Sequence, residues 1–232
     1  TVSFVATNDK IIITSNRDEA VVRPALPPET YHINNKKITF PKDPKAGGTW
    51  YAVNENGTVL VLLNGAEEKH KHRPPYSRSR GLIVLEIISS NSSILHWDLI
   101  DLEGVEPFTL VLYEDLKLYQ LRWNGNEKNR VDLDASLPHI WSSTTLYPKE
   151  IREKRSEWFY RFMENRKDIS ETELFHFHRY TEHSNTENSL VINRNDALKT
   201  LTITQSIIQN NGLQMIHYDL MQQTESSISF SF

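Results

Sequence analysis

Asn16, Arg17, Asp18 and Glu19 stand consecutively where a β-branched run, IIITS at 11–15, gives out. An amide, a guanidinium and two carboxylates in a row can hold an amine, offset a buried negative charge and orient a carbonyl. The group such a cluster would serve is the start of the chain. Residues 2–7 and 11–15 read as two strands around Asn8, Asp9 and Lys10, a loop of hairpin length and composition. With residue 9 as the pivot, cross-strand partners sum to about 18, which sets the first residue opposite Arg17.

The chemistry follows from one difficulty. A hydroxyl or thiol is a weak nucleophile at neutral pH until a base takes its proton. A first residue carries its own base, an α-amine with an ordinary pKa of about 7.7–8.0. Thr1 is then the candidate nucleophile, Asp18 the acceptor that holds its amine, and Arg17 the cation that balances Asp18 and orients a substrate carbonyl or carboxylate. Asn64 ends the apolar strand 58–64 and is placed to donate its amide N–H to the oxyanion formed when an acyl carbon is attacked. Each residue also has a plainer reading. Asn16–Glu19 also fits a solvated strand exit with surface ion pairs, and Asn64 a turn residue before Gly65.

Several elements must position these groups. Gly47-Gly48 signals a turn, 49–54 a strand, Glu55-Asn56-Gly57 a tight turn and 58–64 the return strand. TVLVLLNGA is almost continuously apolar, as strands covered on both faces are. Residues 23–45 are proline-studded and read as irregular surface chain, and EEKHKHRPPYSRSR at 67–80 as a polar loop before a helix over 81–90. A third hairpin is expected over 108–113 and 116–123, turning at Glu114 and Asp115 and closing at 124–126. Pro148 opens a helix whose face repeats Ile151, Arg155, Trp158, Phe159, Phe162 and Met163, ending near Arg166. Ser170 and Glu173 form a capping box for a helix to about Tyr180. Strands 201–208 and 214–218 follow, turning at Asn210-Asn211-Gly212. Hairpins at both ends with helices between predict an α+β fold, a four-layer α-β-β-α sandwich of two antiparallel sheets flanked by helices, as a single domain over 1–232.

Composition excludes several classes of function. A net charge of −4 with scattered Lys and Arg supplies no footprint for nucleic acid. No apolar stretch reaches the roughly 20 residues of a membrane helix, so no membrane partner is expected and the cytoplasm is the default location. The absence of cysteine rules out disulfides and thiolate metal sites in this sequence. His70 and His72 lie in a charged loop, and His176, His178 and His183 lack a third ligand, so neither a metal nor a cofactor is expected. Five Trp, nine Tyr and nine Phe in 232 residues are ample for a packed core.

NRDE at 16–19, Arg23-Pro24, GGTWYAVNENG at 47–57, the strand ending at Asn64 and SRG at 79–81 together resemble the NRDE family, also called the transport and Golgi organisation protein 2 family. The resemblance is strong over the first third of the chain and loose beyond it. It implies an N-terminal nucleophile hydrolase fold akin to penicillin V acylases and bile salt hydrolases, in which an N-terminal Cys attacks a linear amide. Carried over by position, the supporting Arg and Asp fall on Arg17 and Asp18 and the oxyanion Asn on Asn64. Members of the family open Met-Cys-Thr, so the resemblance sets the nucleophilic Cys immediately before Thr1, with Thr1 itself the nucleophile if the chain truly begins there. A further pocket Asn of the acylases corresponds to WSSTTLYP here, where Ser143 or Thr144 would hydrogen-bond instead.

These readings converge on an amidohydrolase that cleaves a linear C–N amide bond through an acyl-enzyme. Asn16, Glu19, Trp50, Arg80 and Thr144 are expected to contact a small amide-type substrate, Trp50 as pocket wall and Arg80 toward an acidic group. The alternative is a non-catalytic small-molecule-binding or trafficking-related protein of the same fold.

Overall fold

The computed structural model describes residues 1–166, 168–210 and 212–231. In chain order its elements are β1 (Val2–Ala6), β2 (Lys10–Ala20), β3 (Leu26–Ile33), β4 (Lys36–Lys42), β5 (Tyr51–Asn54), β6 (Val59–Asn64), α1 (Arg80–Ile88) and α2 (Ser93–Leu99). They continue with β7 (Phe108–Glu114), β8 (Lys117–Trp123), β9 (Lys128–Leu133), β10 (His139–Trp141), α3 (Lys149–Met163) and α4 (Glu171–Tyr180). The last are β11 (Asn193–Arg194), β12 (Leu198–Gln209), β13 (Gly212–Asp219) and β14 (Thr224–Ser231). The class is α+β, with two antiparallel sheets of seven strands and four helices among the described residues. Contacts divide the chain into two compact units, one of 1–24, 136–142 and 147–231, the other of 25–135 and 143–146.

The first unit is built on the sheet β10-β1-β2-β12-β13-β14, with β11 beside β12. Its core forms because alternate residues of β1 and β2 meet the helices. Val5 and Ile12 pack with Phe159 of α3, Leu174 and Phe177 of α4, and Ile207 of β12. The expected capping box is present at the start of α4, where the Ser170 hydroxyl accepts from the Glu173 amide and the Glu173 carboxylate accepts from the Ser170 amide at 2.9 Å. The Asn210-Asn211-Gly212 turn includes Asn211, which lies outside the described residues.

Register decides which side chains surround the polar end of β2. The first hairpin is tighter than the sequence suggests, because the Thr7 amide donates to the Lys10 carbonyl at 2.9 Å, leaving a two-residue turn of Asn8 and Asp9. Val2 pairs with Ser15 and Ala6 with Ile11, so partners sum to 17 and Thr1 faces Asn16 rather than Arg17. On the other side of β2, the register with β12 shifts between Thr200 and Thr202, a β-bulge at Leu201 that pairs Asp18 with Thr200 and Arg17 with Thr202.

The second unit is the sheet β3-β4-β5-β6-β7-β8-β9 with α1 and α2. Ile83, Val84 and Ile87 of α1 pack on Ala52, Leu60, Leu110 and Leu112, burying one face of the apolar β5–β7 strands. Two separate sequence motifs meet here. The Gly48 and Gly81 backbones touch so closely that a Cβ on Gly48 would lie 2.4 Å from the Gly81 carbonyl carbon, and the Thr49 amide donates to the Gly81 carbonyl at 3.2 Å. GGTW and SRG are therefore the two halves of one backbone contact.

Where irregular chain is expected over 23–45, β3 and β4 form a hairpin turning at Asn34 and Asn35, whose φ values of 51° and 63° are those of a two-residue hairpin turn. Pro27 and Pro28 are tolerated because β3 is an edge strand. β9, β14 and α2 are also additional to the expected elements, β9 being a polar edge strand without apolar alternation. No described helix is long and apolar enough to cross a membrane.

Candidate active site

In the first unit the carboxylate of Asp18 is clamped at both oxygens. Tyr147 donates its phenol proton to Oδ2 at 2.6 Å, and Thr200 its hydroxyl proton to Oδ1 at 2.6 Å. The Thr200 hydroxyl is itself oriented, since it accepts the Ile192 amide at 2.9 Å. The β12 bulge brings this hydroxyl to Asp18. Burial first, and the Asp18 charge second, push the Tyr147 phenol far above its ordinary range, so it remains a donor.

Arg155 completes the group. Its guanidinium lies 3.5 Å from the centre of the Tyr147 ring, donates to the Thr1 hydroxyl and to the Ser189 carbonyl, and reaches the Asn188 carbonyl at 3.3 Å. Its side chain is fully buried. The Thr1 hydroxyl also lies 3.2 Å from that of Ser142. As a free amine, the Thr1 nitrogen is drawn from 8.0 to about 6, mainly by burial, with Asp18 raising it and Arg155 lowering it.

Asn16 shares the helix-facing side of β2 with Asp18 and is fully engaged there. Its Nδ2 donates to the carbonyls of His178 and Leu190 at 3.1 and 2.9 Å, which turns its Oδ1 to His178 Nδ1. An amide oxygen only accepts, so Nδ1 carries the imidazole proton and Nε2 accepts from the Ser3 hydroxyl at 2.6 Å. Burial, then the positive charges of the chain's amine and Arg155, hold His178 well below its ordinary pKa, and it is neutral. Ser3, His178 and Asn16 have the order of a hydrolytic triad, yet Ser3 and His178 are 0% exposed and Asn16 4%, so no substrate reaches them. They fasten α4 to the sheet.

Arg17 points to the opposite face of the sheet from Asp18, donating to the Arg23 carbonyl at 3.0 Å and standing 3.8 Å from Glu19. Glu19 accepts from Arg23 at 3.2 Å and from the Ala20 amide at 2.9 Å. The structure thus gathers Thr1 and Asp18, sets Asn16 to structural work, and places Arg17 and Glu19 in an ion-pair group at the exit of β2.

The remaining candidates belong to the second unit. Asn64 ends β6, and its carbonyl accepts the Ser143 hydroxyl at 2.8 Å. Its side-chain amide makes no hydrogen bond among the described residues. Next to it Gly65 has φ +86°, and a Cβ there would fall 2.0 Å from the Thr144 hydroxyl, which reaches the Glu68 carbonyl at 3.3 Å. Trp50 is buried just before β5. Arg80 is paired with Glu106 at 3.0 Å, and the same carboxylate accepts from His70 at 3.0 Å and His72 at 3.2 Å. Burial opposes it, but Arg80, His70 and His72 hold Glu106 below the ordinary carboxylate range. No group of three or more His, Asp or Glu side chains suited to a metal occurs among the described residues.

Sequence reasoning missed Tyr147, Arg155, Thr200 and His178 as members of this network. Arg155 left a trace, as a cation on the otherwise apolar stripe of α3. The others depend on register and on a bulge, which leave no local signal.

A family model described as Transport and Golgi organisation 2 matches residues 2–225. The chain belongs to that family. No curated protein matches it by sequence. Among solved structures, a variant of conjugated bile acid hydrolase from Clostridium perfringens aligns with a TM-score of 0.62 and 10% identity, covering 99% of this chain and 96% of that one. The Caenorhabditis elegans ortholog of N-acylethanolamine-hydrolyzing acid amidase aligns with a TM-score of 0.62 and 10% identity, over 88% of this chain and 92% of that one. This Transport and Golgi organisation 2 chain therefore has the N-terminal nucleophile hydrolase fold, as the sequence resemblance implied.

Proposed function

We propose that this family member is an amidohydrolase that cleaves a linear C–N amide of a small molecule through an acyl-enzyme formed by its N-terminal nucleophile. The observation that carries the reading is the Asp18 clamp. A carboxylate fixed by two short hydrogen bonds lies beside the buried start of β1, where an amine serving as base needs an acceptor. The fold shared with a bile acid hydrolase and an acid amidase supports the same chemistry.

The register supports one reading of the nucleophile. Partners across β1 and β2 sum to 17, so a residue immediately ahead of Thr1 would pair with Arg17 and share its face. We favour that position, with the Cys that the family resemblance implies, over Thr1, whose hydroxyl faces the helices and is held by Arg155 and Ser142. Arg17 then orients the substrate carbonyl and Asp18 holds the amine. The test is the intact mass of the protein from its full reading frame before and after a β-lactone acylating probe. One stoichiometric adduct on the N-terminal residue, lost in Asp18→Asn, is expected. A folded protein inert to the probe would leave the non-catalytic ligand-binding reading standing in its place.

A further inference from the structure

Tyr147 is required by neither the sequence motifs nor the acyl-transfer chemistry, yet it touches two charged groups of the site at once. We propose that Tyr147 is a positioning residue, its hydroxyl fixing the orientation of the Asp18 carboxylate while its ring seats the Arg155 guanidinium and keeps the two charges apart. The positioning stands on geometry, and its consequence for reaction rests on the amidohydrolase reading.

Tyr147 is 1% exposed, and its hydroxyl meets Asp18 Oδ2 at 2.6 Å. Its ring face lies 3.5 Å from the Arg155 guanidinium carbon, with Arg194 at 5.2 Å. Among the described residues Asp18 and Arg155 make no ion pair with each other. A carboxylate captured by a guanidinium would spend both oxygens on a bidentate contact. With Tyr147 between them, Asp18 retains lone pairs for an amine and Arg155 retains a donor for the Thr1 hydroxyl. The charged groups that face this ring are Asp18 from β2, Arg155 from α3 and Arg194 from β11. Thr200 supplies the second donor to Asp18, so removal of Tyr147 alone leaves a carboxylate anchored at one oxygen and free to turn.

The deciding variant is Tyr147→Phe in the full-length protein, which keeps the ring and removes the hydroxyl. Its labelling by the β-lactone probe is expected to slow about 10- to 100-fold at saturating probe, with half-saturation little changed. Unchanged labelling, or a slowing carried by half-saturation alone, would overturn the inference while leaving the amidohydrolase reading intact. If the native protein itself is not labelled, that reading fails. The positioning is then decided by the crystal structure of Tyr147→Phe, where a rotated Asp18 carboxylate supports it and an unmoved one overturns it. Should Tyr147→Phe not fold, 3-fluorotyrosine at position 147 retains shape and strengthens the donor. Labelling at saturating probe should then hold at or above the native rate, and a slowed rate counts against the inference.

Discussion

A guanidinium without solvent must have every donor met by protein. Arg155 meets this demand with the Asn188 and Ser189 carbonyls, the Thr1 hydroxyl and the face of Tyr147. Arg155→Met is accordingly expected to destabilise the fold by about 3 kcal/mol, because two buried carbonyls and a buried hydroxyl lose their partner while the helix stripe gains only methylenes. Urea denaturation of the variant beside the native protein measures this directly. Arg155 also shows what was legible at this scale. Arg17, Asp18 and Asn64 draw notice because polar groups at strand ends are conspicuous in sequence. Arg155 repeats with Ile151 and Phe159 on one face of α3 and is easily read as a long side chain filling out an apolar stripe.

At the scale of elements, the Gly48–Gly81 contact joins the approach to β5 to the first turn of α1. A methyl group at Gly48 meets backbone, which cannot swing aside as a side chain can. Gly48→Ala is therefore expected to cost about 1–3 kcal/mol, visible as a lowered urea midpoint with an unchanged slope. Ser170→Ala removes one side of the α4 capping box and should cost about 1 kcal/mol by the same measurement. Elements that announce themselves by composition were readable: the capped helix, the continuous apolar strand 59–64 and the hairpins around it. The β3–β4 hairpin was not, because its prolines mimic loop composition and only the Asn34-Asn35 pair signals a turn. The first hairpin was legible with its register one residue out, since Lys10 resembles a loop residue and is in fact the first of β2.

At the scale of the whole molecule, two buried histidines tie stability to pH. Burial holds His178 well below its ordinary 6.5 and His217 at about 4, where Asp219 opposes the shift and Arg17 adds to it. The unfolded chain therefore takes up protons that the folded one refuses. The contribution is intact above pH 6.5 and is lost as pH falls toward 4, amounting to roughly 3 kcal/mol for His217 alone. Urea midpoints at pH 7 and pH 4.5 should fall steeply in the native protein and less steeply in His217→Gln.

The bulge in β12 carries a further consequence. Were the ladder to run on from Thr202 and Arg17 without a bulge, Leu201 would come alongside Asp18. The strand spends one additional letter and so exchanges an isobutyl group for a hydroxyl at the place where a carboxylate needs a donor. The chemistry of the site is in this sense a matter of spelling: the same residues, counted one step differently, would surround Asp18 with hydrocarbon.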